Sequence, residues 1–175
     1  MGLAMACSML MAGVLPTATS AEPLSPRELV PLLTRSGVAP DLTIIEVIYA
    51  PPLFFESTGL QPPEEMELQP TLAFLLQETV HDGELPLAAP EVFLLLPEGE
   101  RIAAYDAGIT TEDEHHRVSR LLFPRPDEWP EALQDEQGDT VLRLIVPQAD
   151  GTYTISNVFE WTVPIEVDGK ELGAE

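Results

Sequence analysis

From Asn157 to Val167 apolar side chains fall on every second position. Phe159, Trp161, Val163, Ile165 and Val167 share one face, while Val158, Glu160, Thr162, Pro164 and Glu166 fill the other. A period of two over this length predicts a β-strand with one buried face, its aromatic pair anchoring a sheet core. Pro164 has no N–H to give to a ladder, so the strand is expected at a sheet edge, or bulged, at its far end.

The same reading along the chain yields further strands. Leu42 to Ala50 is rich in β-branched residues, and Thr71 to Val80 follows a Pro-rich excursion between Pro51 and Pro70. Glu91 to Leu96 is a short apolar run between prolines, and Pro97-Glu98-Gly99-Glu100 marks a tight turn into Arg101 to Asp106. Ala107 to Glu114 reads as a Gly/Thr/acidic loop. In the strand after it, His115, Arg117, Ser119, Leu121 and Phe123 face one way and His116, Val118, Arg120 and Leu122 the other. Asp127 is placed to cap a one-turn helix near 128–134, Thr140 to Val146 is a strand, and Gln148 to Gly151 is a hairpin loop.

The N-terminal part differs in pattern. Residues 1–21 carry no charge and hold an apolar run from Leu3 to Leu15, then small residues ending Thr19-Ser20-Ala21. These are the marks of a secretory signal peptide cleaved before Glu22, although no Lys or Arg precedes the apolar run. The run is too short to span a bilayer, so no transmembrane span is expected in the mature chain. Cys7 stands too near the start to serve as a lipid anchor, and cleavage removes this single cysteine. Ser25-Pro26-Arg27-Glu28 is a capping box that opens a short helix, with Pro31 inside and Gly37 as its expected stop. The expected organisation is therefore a signal peptide at 1–21, a helix and lead-in at 22–40, a β-domain at 41–168 and a frayed polar tail at 169–175.

Charge narrows the function classes. Thirty acidic residues against eight basic ones give −22 over 175 residues. Such a surface repels phosphate, which excludes nucleic-acid binding of the counterion-release kind and disfavours anionic lipid headgroups. Solvation of a β-rich surface is the plainest role for the excess acid. No G-x-S-x-G, H-E-x-x-H, P-loop or G-x-G-x-x-G occurs, so a non-catalytic protein without cofactor is expected.

Two constellations remain. Leu53, Phe54 and Phe55 stand in a row inside the Pro-rich excursion; exposed, they would be a contact surface for another extracytoplasmic protein, and buried, they would pack under the sheet. The second is a metal alternative: copper or zinc on His81, His115 and His116, with Met66 as a soft ligand, or calcium on Asp106, Glu112 and Asp113. Adjacent histidines on a strand point to opposite faces, and a solvated acidic loop is the competing reading.

Residues 71–106, with the link Asp82-Gly83-Glu84-Leu85-Pro86-Leu87-Ala88-Ala89 between two strands and a G-turn hairpin after them, resemble immunoglobulin-like modules of secreted bacterial proteins. That resemblance implies a sandwich and carries over no functional residue. The expectation is a mostly β chain: an antiparallel immunoglobulin-like β-sandwich of about seven strands with one short N-terminal helix. It would be exported, periplasmic or secreted, and act as an interaction or accessory module.

Overall fold

A computed structural model describes residues 24–38, 43–127, 129, 131–147, 157–167 and 170–172. The expected signal peptide, Cys7 and the loop at 148–151 lie outside the described residues. Helix α1 (Pro26–Leu33) starts at the expected box: Ser25 donates to the Glu28 carboxylate from its backbone N at 3.1 Å and from Oγ at 2.6 Å. Gly37 does not end it. The helix stops at Leu33, and Thr34–Val38 continues as a strand, β1, antiparallel to β2 (Ile44–Tyr49).

The excursion after β2 is more ordered than its prolines suggest. Helix α2 (Pro52–Thr58) has Pro52 in its first turn, where a missing N–H costs nothing. It ends on Gly59, whose φ of 72° suits a residue without Cβ and whose N–H bonds the Phe55 carbonyl. Helix α3 (Glu65–Leu68) leads into β3 (Thr71–Thr79). The strands that follow are β4 (Phe93–Leu95), β5 (Arg101–Ala103), β6 (Asp106–Glu112), β7 (His116–Pro124), β8 (Thr140–Ile145), β9 (Val158–Val163), β10 (Ile165–Val167) and β11 (Lys170–Leu172). A 3-10 turn at Glu131–Leu133 occupies the place of the expected one-turn helix.

The strands form two main antiparallel sheets, β1-β2-β3-β7-β6 and β5-β4-β8-β9, with β10-β11 as a separate ribbon. The orders β2-β3-β7-β6 and β5-β4-β8-β9 are the A-B-E-D and C′-C-F-G orders of an immunoglobulin-like sandwich, with β1 added outside the first strand. The expected fold class holds, with eleven strands among the described residues where about seven were expected. The surplus comes from β1, from β6, which replaces the expected acidic loop, and from β10 and β11. The tail expected to fray forms β11 across from β10, pairing Ile165 with Leu172.

The organising alternation folds as read. Phe159, Trp161 and Val163 are buried and Glu160 and Thr162 exposed, on a strand at the margin of its sheet. Pro164 separates β9 from β10, at a cis Val163–Pro164 peptide. Trp161 reaches across the sandwich, its ring 5.5 Å from that of Phe74 on β3 and 6.3 Å from that of Tyr49 on β2. Leu72, Phe74 and Leu76 from one sheet and Leu94, Leu142, Leu144 and Phe159 from the other complete the core.

Candidate functional site

The Leu53-Phe54-Phe55 row lies on α2, where Phe54 and Phe55 are 3% and 7% exposed and meet edge to face at 5.4 Å. Both belong to the core, and Leu53 packs half-buried against it. The structure therefore places these rings under the sheet, the second of the two sequence readings. A helix winding between α1 and the sandwich turns consecutive aromatics inward, which an extended loop would not.

What the excursion leaves on the surface are Leu60, 52% exposed, and Leu68, 77% exposed. They border two adjoining clefts of about 280 Å³ and 400 Å³, which share Pro52, Met66 and Glu67. The larger cleft forms where β2 leaves its sheet. The last register pair is Tyr49 with Phe74, Ala50 N bonds Ala73 O at 2.9 Å, and Pro51 then turns the chain away. β3 extends further, pairing Leu72 and Thr71 with Phe123 and Pro124 on β7. Arg125 N donates to Pro70 O at 3.1 Å, which brings the Arg125 side chain to the same cleft as Tyr49. Burial pushes the Tyr49 phenol well above its usual range, and the Arg125 charge opposes that rise.

The metal candidates are arranged differently. His81, His115 and His116 are all exposed. Asp113 spends its Oδ1 on the turn between β6 and β7, accepting the backbone N–H of His115 and of His116 at 2.8 Å each. His116 Nδ1 lies 3.2 Å from Thr79 Oγ1. Asp106 pairs with Arg120, and Glu112 with Arg117 at 2.8 Å. Among the described residues no three His, Cys, Asp or Glu side chains cluster as a metal site would require.

The two backbone bonds hold the Asp113 carboxyl below the usual aspartate range. A depressed folded value means that its stabilising effect is present above the unfolded value and lost as pH falls through the folded one. The His115 and His116 amides should therefore keep their exchange protection through the usual aspartate range and lose it only in stronger acid, and Asp113→Ala should remove that step. Protection that is unchanged in Asp113→Ala would show that the carboxylate does not hold this turn.

A group not foreseen from the sequence is the row Glu78–Arg117–Glu112, one residue from each of β3, β7 and β6 in direct register. Arg117 is 1% exposed; its Nη1 meets Glu78 at 3.2 Å, its Nε meets Glu112, and its Nη2 donates to Pro86 O. The signal was present in phase: Arg117 lies on the same face as Ser119, Leu121 and Phe123. Comparison with protein-family models, with curated proteins and with solved structures finds no match for this chain.

Proposed function

We propose that this chain is a non-catalytic, extracytoplasmic interaction or accessory module, and that it meets its partner through the excursion between β2 and β3. The observation that carries this reading is the pair Leu60 and Leu68, both exposed beside two clefts that also take in Met66 and Phe55. Contiguous apolar surface around concave sites favours contact with another molecule over contact with water. The apolar segment at Leu3–Leu15 supports export, and the −22 charge favours a partner with a basic rim around its apolar centre. The contact surface thus adjoins the Leu53–Phe55 row rather than consisting of it.

The test is site-specific photo-cross-linking from position 68 in the native host. A discrete adduct with one exported protein is expected, and Leu60→Glu with Leu68→Glu should weaken that complex at least tenfold while the melting temperature stays within a few degrees. Absence of any adduct, or an adduct indifferent to both glutamates, would sink the reading. N-terminal sequencing of the same protein should begin at Glu22.

A further inference from the structure

Arg125 stands apart among the arginines that are at least half-buried. Arg117, Arg120 and Arg143 each hold a carboxylate, and the Arg35 guanidinium is occupied by backbone carbonyls. Arg125, half-buried in the larger cleft, makes no ion pair among the described residues, although the chain has thirty carboxylates. A planar cation already partly removed from water and left without a counter-charge is matched to an external carboxylate, which it can bind through two parallel N–H donors. The Tyr49 hydroxyl lies in the same lining and makes no hydrogen bond among the described residues.

Two further features say what kind of carboxylate. β3 runs past the last pair it makes with β2: Leu72 turns its N–H and C=O toward β7, in step with the Pro70–Arg125 bond, and Thr71 turns its own toward the side that β2 has left. An open strand margin recognises extended main chain, a mode that a small free acid cannot use. Met66, Leu68 and Pro52 supply an apolar wall for one terminal side chain, in a volume of about 400 Å³ that is ordinary for a small recognition pocket. Glu67 also lines the cleft and disfavours a second negative charge on the ligand.

Resting on the contact reading above, we propose that this cleft captures the C-terminal carboxylate of an extended peptide segment of the partner. Arg125 is its counter-charge, the Thr71 backbone its main-chain neighbour, and Met66 and Leu68 the seat of its last apolar side chain.

The probe is a fluorescein-labelled hexapeptide pool with apolar residues at the last three positions, prepared as free acid and as C-terminal amide and titrated by anisotropy against the full chain. The free acid should bind saturably. Amidation and Arg125→Gln should each weaken it by roughly ten- to a hundredfold, with partial recovery in Arg125→Lys. Equal binding of acid and amide, unchanged binding to Arg125→Gln, or no binding of the free acid up to millimolar concentration would each overturn the proposal. Hexanoate competing as tightly as the pool would overturn the peptide part of it. The cross-linking assay separates the two readings: a complex lost with Leu60→Glu and Leu68→Glu but intact with Arg125→Gln leaves the contact surface standing and removes the carboxylate.

Discussion

Replacing Trp161 by alanine is expected to lower the unfolding free energy by about 3–5 kcal/mol, read as a fall in the guanidinium midpoint with an unchanged slope. The ring is fully buried and is the largest side chain joining the two sheets, in contact with Phe74 and Tyr49 on the opposite layer. Its removal opens a cavity that strands on both sides are too constrained to fill. It also frees a polar group: Trp161 Nε1 donates at 2.8 Å to the carbonyl of Leu33, the last residue of α1, which has no helical partner of its own. The Arg35 guanidinium over the ring, 5.6 Å from its centroid, loses that face as well. Trp161→Phe keeps most of the volume and gives up the hydrogen bond, so a smaller loss of about 1–2 kcal/mol should follow. If the alanine variant lost less than 1 kcal/mol, the interior would not be organised around this residue.

Arg117→Ala should cost as much, about 3–5 kcal/mol, for a different reason. The substitution takes the Arg117 charge away from the Glu78 carboxylate, which is buried at 4% side-chain exposure. The Pro86 carbonyl and Glu112 lose donors at the same time. Restoring volume without charge is the informative control. Arg117→Met combined with Glu78→Leu removes the buried pair altogether, and most of the lost stability should return. A double variant as unstable as the single one would mean that the row acts through its hydrogen bonds to β6 and Pro86 rather than through its charge balance. Both sets of variants can be compared by chemical denaturation at one pH and salt concentration.

How much of this was legible depends on whether an element is specified by its own residues or by its neighbours. β3, β7 and β9 carry enough alternation for period two to find them, although β3 buries Leu72, Ala73 and Phe74 in a row and β7 buries Leu121, Leu122 and Phe123, so neither strand keeps one face inward throughout. β1 (T-R-S-G-V) and β6 (D-A-G-I-T-T-E) carry glycine and charge and have no apolar stripe. They are strands because β2 and β7 offer them a ladder, a tertiary effect that propensity cannot report. Helix α2 was hidden by its prolines, although Pro52 at the start and Gly59 at the end are ordinary helix brackets.

The candidate site was legible only as a stretch. The Pro-rich excursion stood out in composition, and its aromatic row drew the attention, whereas the residues it exposes are Leu60 and Leu68. No spacing links Arg125 to Tyr49, because they meet only through the β2–β3–β7 register. The histidines were read as neighbours on one strand, whereas β7 begins at His116 and His115 lies in the turn before it; their acidic companions Asp106 and Glu112 are taken up by arginines that the sequence does not mark as partners.

Arg35 has an effect on the shape of the whole sandwich. From β1, at the rim of one sheet, it donates at 2.8 Å to the Glu160 carbonyl on β9, at the rim of the other. One flank of the molecule is thereby stitched across its two layers, and the unsatisfied carbonyl that would invite a foreign strand there is already taken. On the opposite flank the layers are joined at one end by the short link from β5 to β6, and among the described residues no side-chain hydrogen bond from Asp106–Glu112 crosses to the other sheet. Lateral growth into larger assemblies, and the first fraying under stress, should both begin at the end of β6 far from that link, near Glu112.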